Sequence, residues 1–151
     1  GGYDMQVTYL APWYTHAGYI AAITDHMRAA WAILGPERAE QAALLYTAHS
    51  IPESMAAQAP YAQQFDATAA AVTRGLGRQE YGLAYQSQAH GTPRPWLQPD
   101  INTAIRQAQQ DGYRDVIVSP MGFLCAGENR EYASGLPRHA ERLDRRAAPA
   151  A

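Results

Sequence analysis

Residues 42–48 read Ala-Ala-Leu-Leu-Tyr-Thr-Ala, a stretch with no charge and no alternation of polar with apolar positions. A strand with one face in water alternates. A strand that is apolar throughout must be covered on both faces, the situation of an inner strand in a parallel sheet with helices above and below it. The flanking sequence agrees. Before it, Ile20, Ile23, Met27, Ala30, Trp31 and Leu34 recur at helical spacing and stop at Gly35-Pro36. After it, Tyr61, Phe65, Ala69, Val72 and Leu76 do the same and close at Gly77. Pro99 and Asp100 open a third helix, with Asp100 as N-cap, a face of Ile101, Ala104, Ile105 and Ala108, and Gly112 as its stop. Met5–Leu10, Tyr81–Gln88 and Val116–Val118 are rich in strand formers. The alternation predicts an α/β fold: an open parallel sheet flanked by helices, with right-handed crossovers, as in a Rossmann-type half-domain.

Sheets of this kind bind ligands beyond the carboxyl ends of their strands. Three segments leave strands there: His49-Ser50-Ile51-Pro52, Gln86 to Trp96, and Ser119 to Phe123. His49 directly follows the inner strand, where the backbone holds it rigidly. An imidazole so placed can accept a proton near neutral pH or ligate a transition metal. It can equally cap the next turn by a hydrogen bond. Ser50 and Pro52 read as turn residues, a hydroxyl that starts the turn and a ring that fixes it. Trp96 and Phe123 either line the cleft or belong to the core. His26 falls on the polar face of its helix, beside His16 near the start; His90 and His139 have no partner at metal-ligand spacing.

Charge narrows the function further. A formal net charge of -2 over 151 residues gives no reason to expect nucleic acid or an anionic membrane as partner. No apolar run approaches the roughly 20 residues of a membrane span, and no signal peptide is expected. The single cysteine, Cys125, excludes an intrachain disulfide and a four-cysteine zinc or iron–sulfur site within this chain. A reducing, cytoplasmic setting is expected. The chain opens Gly1-Gly2-Tyr3 without an initiator Met, as a fragment or processed product would.

Four segments carry a resemblance. Leu44-Leu45-Tyr46-Thr47-Ala48-His49-Ser50-Ile51-Pro52, then Pro60-Tyr61-Ala62-Gln63-Gln64, then Gln86-Ser87 with Gly91 and Pro95-Trp96-Leu97-Gln98-Pro99, then Gly112 to Phe123, stand in the order and spacing of the ferrochelatase family. Trp13 to Trp31 is similar to the segment that opens the second half of those enzymes, and its Thr15-His16-Ala17-Gly18-Tyr19-Ile20 leans toward the coproporphyrin III type. The resemblance covers roughly residues 5 to 124 and implies a chelatase-like half-domain, the carboxy-terminal one of two, with porphyrin held between the halves. It implies insertion of Fe²⁺ into protoporphyrin IX or coproporphyrin III in heme biosynthesis, with iron as substrate and no tightly bound cofactor. It assigns His49 the family's active-site histidine, which takes protons from pyrrole nitrogens, ligates the incoming iron, or does both. It also implies a macrocycle bent to expose its nitrogen lone pairs. Trp96 and Phe123 become candidates for the porphyrin cleft, while Tyr61 and Gln64 are expected to brace the loop after His49.

The likeness stops at Cys125. Where the family continues with an Asp-His pair and a glutamate, the ungapped positions here are Ala126, Gly127 and Asn129. An amide neither accepts a proton nor brings negative charge to a metal. Glu128 or Glu131 can replace the glutamate only after a shift in register, and Glu128 is the candidate second metal ligand. The following arginine-rich, aliphatic-poor sequence lacks a face for docking a helix. The expected organisation is a domain over 1–134 and a disordered tail over 135–151. A change this abrupt is also what a shifted reading frame or fused terminus leaves. Two other readings stay open: a non-catalytic half-domain that binds porphyrin or metal weakly, and a related tetrapyrrole cobaltochelatase, whose paired metal histidines are not recognisable.

Overall fold

The buried strand organises the architecture. The structure, a computed structural model, describes residues 5–88, 91 and 94–121. Its elements in chain order are α1 (Ala17–Leu34), α2 (Pro36–Gln41), β1 (Ala43–His49), α3 (Glu53–Ala56), α4 (Tyr61–Gly75), β2 (Gly82–Gln86), α5 (Ile101–Gln110) and β3 (Val116–Pro120). The three strands form one parallel sheet in the order β2-β1-β3. β1 is therefore central, and its five inner residues, Leu44 to Ala48, are all buried. The expected open parallel sheet with flanking helices is what forms.

Side chains on a strand alternate between faces, so Leu44, Tyr46 and Ala48 share one side and Leu45, Thr47 and His49 the other. The first set packs into a single cluster with Ile23 and Met27 of α1 and Phe65, Ala69 and Val72 of α4. Burial of a side chain such as Met27 or Val72 contributes about 1.5–3 kcal/mol. On the other side α5 lies against β2 and β1. Gly82 permits a close approach there: a Cβ at that position would stand 3.0 Å from Leu45 Cδ1, its register partner's side chain.

Helix ends follow the sequence signals. His16 caps α1, its Nδ1 accepting from the Gly18 N–H at 3.2 Å. Gly35, at φ 89°, ends α1 and hands the chain to Pro36 at the first position of α2. Asp100 caps α5 by accepting from the Asn102 N–H at 2.9 Å. His26 is exposed, as its place on the polar face predicts.

Three readings of the sequence need correction. Met5–Leu10 is not a strand: the segment is irregular, with Met5, Val7, Tyr9 and Leu10 exposed. Its composition suits a strand, but no described neighbour offers it a ladder, and propensity without pairing does not make a strand. The expected strand over Tyr81–Gln88 is shorter, ending at Gln86 because Ser87 turns to φ 62°. Two short helices, α2 and α3, go unpredicted, since six and four residues are too few to show an apolar period. The expected boundary at 134/135 and the disordered tail lie outside the described residues.

Buried and half-buried tyrosines tie stability to alkaline pH. Tyr81 donates to Asp66 Oδ1 at 2.7 Å, and burial, then that carboxylate, pushes its hydroxyl from 10.0 up to about 12. Burial also raises Tyr46, Tyr61 and Tyr85. A folded-state value above the unfolded one gives stability that is complete below the unfolded value and is lost as pH rises toward the folded one. Urea denaturation should therefore show constant Tyr81-dependent stability below about pH 10 and a decline between about 10 and 12, and Tyr81→Phe should flatten that decline. An unchanged decline in the variant would contradict this assignment.

Candidate active site

The carboxyl ends of the three strands meet at one edge. His49 ends β1 and stands in register with Gln86, the last residue of β2. On the other flank Met121, just past β3, donates its N–H to the Thr47 carbonyl at 2.7 Å. His49 is exposed although the five residues before it and Ser50 after it are buried. His49 therefore stands exposed at the tip of a buried strand.

One contact holds the ring and another holds its backbone. His49 Nδ1 lies 2.6 Å from the Ser50 carbonyl oxygen. A carbonyl only accepts, so in this contact Nδ1 is the donor, an arrangement that in a neutral ring leaves the lone pair on Nε2. The His49 carbonyl in turn accepts from the Tyr61 hydroxyl at 2.8 Å, joining the strand tip to the first turn of α4. Burial, with Tyr85 nearby, raises the Tyr61 hydroxyl, which keeps it a donor well into the alkaline range.

The Trp96 segment straps across this loop. Ser50 Oγ donates to the Leu97 carbonyl at 3.0 Å, the Leu97 N–H to the Ile51 carbonyl at 3.0 Å, and the Glu53 N–H to the Pro95 carbonyl at 3.0 Å. Pro52 and Trp96 form an antiparallel bridge. Trp96 is half-buried. Thus the structure brings together His49, Tyr61 and the Trp96 segment, which lie far apart in sequence. Of the other expected site residues, Phe123 and Glu128 lie outside the described residues. Among the described residues no three His, Cys, Asp or Glu side chains are grouped to hold a metal.

A hollow of about 270 Å³ opens beside the strand tip, lined by Trp13, Tyr19, Ala48, Tyr61, Gln64 and Met121 among others. Tyr61 braces the His49 loop, and both Tyr61 and Gln64 border this hollow. Trp13 and Tyr19 meet edge to face, with centroids 5.2 Å apart at 84°. Nothing in their spacing marks this pair as part of a site; only the placement of α1 does. A second hollow, of about 410 Å³, lies at the opposite end of the strands, lined by residues such as Ala43, Gly82, Ala104 and Tyr113. It is larger, but no residue singled out for chemistry reaches it. The strand-tip edge is the better candidate.

Comparison with known proteins supplies a family. The family model described as ferrochelatase matches residues 2–128. The coproporphyrin III ferrochelatase of Oceanobacillus iheyensis is 32% identical over 125 residues, 82% of this chain and 40% of that protein. That of Anoxybacillus flavithermus is 34% identical over 121 residues, 79% of this chain and 38% of that protein. The ferrochelatase of Thermus thermophilus is 39% identical over 110 residues, 72% of this chain and 33% of that protein. The chain thus spans no more than 40% of the length of these relatives.

Tyr61→Phe removes the donor to the His49 carbonyl without changing the ring that borders the hollow. It should lower stability by about 0.5–1.5 kcal/mol in urea titration, the net worth of one hydrogen bond. An unaltered midpoint would show that the bond does not hold the loop.

Proposed function

The chain belongs to the ferrochelatase family, and on that premise we propose that it supplies the carboxy-terminal wall of a cleft in which Fe²⁺ is inserted into a porphyrin. The observation that carries the proposal is the His49 imidazole at the exposed tip of a buried strand, its Nδ1 tied back to Ser50. Metallation replaces two pyrrole N–H protons by one Fe²⁺, so a base beside the macrocycle face is needed. The Nε2 lone pair meets that need, accepting a proton and passing it to water before the next. The same lone pair can hold iron weakly and release it to four nitrogens, which bind it together far more firmly than one imidazole does.

A porphyrin is flat, apolar and aromatic, and the edge around His49 suits it. Trp96 stands on the strap across the loop, and Tyr61, which holds the His49 carbonyl, also lines the hollow with Trp13 and Tyr19. The named relatives divide between coproporphyrin III ferrochelatases and a ferrochelatase with no porphyrin in its name. Coproporphyrin III is the first substrate to test and protoporphyrin IX the second. A first half-domain of the kind the resemblance implies would form the other wall, because ligand sites generally enclose about 70–90% of their ligand. No helix among the described residues is long and apolar enough to cross a membrane. A cytoplasmic, reducing setting belongs to the same proposal and is supported by the use of one cysteine.

One observation favours a second reading. Among the described residues His49 stands without a grouped set of metal-binding side chains. A half-domain that binds porphyrin or metal weakly, without turnover, would look the same at this edge.

Zinc insertion into coproporphyrin III, followed by porphyrin fluorescence, separates the two. Catalysis predicts that His49→Ala slows insertion by about 10²–10⁴, the usual contribution of a positioned acid–base group. Equal rates in the chain and its variant would contradict the role of His49. Porphyrin binding with no insertion by either would support the second reading.

A further inference from the structure

We infer that Ser50 is a positioning residue for the His49 ring, holding it in the tautomer that leaves the Nε2 lone pair free. Ser50 is fully buried, at 0% exposure, although its neighbour His49 is exposed. Each of its polar groups is engaged. Its N–H donates to the Gln86 carbonyl at 2.7 Å, anchoring it to the end of β2. Its Oγ donates to the Leu97 carbonyl at 3.0 Å, anchoring it to the strap. Its carbonyl receives His49 Nδ1 at 2.6 Å.

The first two bonds pull from different segments and fix the orientation of this residue. The third transmits that orientation to the ring. Leu97 is itself held, since its N–H donates to the Ile51 carbonyl at 3.0 Å. A turn that needed only a polar residue would leave the hydroxyl in water; here it is buried and its partner belongs to a segment 47 residues away. A histidine that uses Nε2 for metal or proton commonly donates its other N–H to a fixed acceptor, and that acceptor sets the tautomer. With the tautomer reversed, the ring would present an N–H donor to the groove, and it could neither take a pyrrole proton nor approach iron.

The inference deepens the proposed function and rests on it for the task that Nε2 performs; the tautomer itself can be read without turnover. Long-range ¹H–¹⁵N correlation of the histidine rings in the full chain, at about pH 8.5 where ordinary histidines are neutral, reports which nitrogen bears the proton. The expected result is Nδ1–H for His49. In Ser50→Ala, which keeps the peptide groups but removes the tether to Leu97, the ratio of Nδ1–H to Nε2–H should fall roughly fivefold, the factor set by one ordinary hydrogen bond. Thr73→Val is the control. It deletes a buried hydroxyl 2.9 Å from that of Tyr46, in the core rather than at the site, and should leave the ratio unchanged.

An Nε2–H ring in the unaltered protein would overturn the inference whether or not any variant folds. So would an unchanged ratio in folded Ser50→Ala, or an equal shift in Thr73→Val. Failure of the proposed function looks different: an intact Nδ1–H ring in a protein that inserts no metal.

Discussion

A strand buried on both faces has one register available to it. β1 pairs with β2 and β3 so that Leu45 meets Gly82 on one side and Val118 on the other. A slip of one residue would exchange its two faces, turning Tyr46 away from Phe65 and Val72 and moving the parity of His49 toward the α1–α4 core. The apolar cost of that exchange fixes where the strand stops, and with it the height of His49 above the sheet. Site geometry is thus a consequence of core packing.

Hydrogen bonds do the finer work. Tyr61 grips the His49 carbonyl from α4, and Ser50 grips the ring nitrogen while tied to Gln86 and Leu97. These bonds join four segments that lie far apart in sequence: the end of β1, the end of β2, the first turn of α4 and the strap before α5. Rigidity at a site has chemical value where a proton must be received at one atom and a metal handed on from the same atom. The larger hollow at the opposite end of the strands has no such convergence, and volume alone does not make it the functional site.

Much of this was legible in the sequence, for physical reasons that differ by element. The unalternating run at 42–48 suited an inner strand, and α1, α4 and α5 have enough turns for a period to emerge. Asp100 was readable as a cap because its chemistry is local. Met5–Leu10 misled because strand composition says nothing about whether a pairing edge exists. Ser87 at positive φ and the helices α2 and α3 are decided by neighbours, and no local pattern shows them. The position of His49 at a strand end could be read, but the engagement of Ser50 could not, because its partner Leu97 is brought in by tertiary folding. For the same reason Trp13 and Tyr19 carried no signal of their place beside the site. Phe123 and Glu128 are expectations that fall outside the described residues.

The claim most open to direct contradiction is the location of the tetrapyrrole. A porphyrin ring shifts nearby proton resonances strongly, so titrating coproporphyrin III into the isotopically labelled chain maps its binding face. Ring-current shifts should concentrate on His49, Ser50, Tyr61 and Trp96, with Leu83, Ala104 and Tyr113 at the opposite end unmoved. Shifts centred on those last three, or none anywhere at millimolar porphyrin, would contradict the assignment of the strand-tip edge.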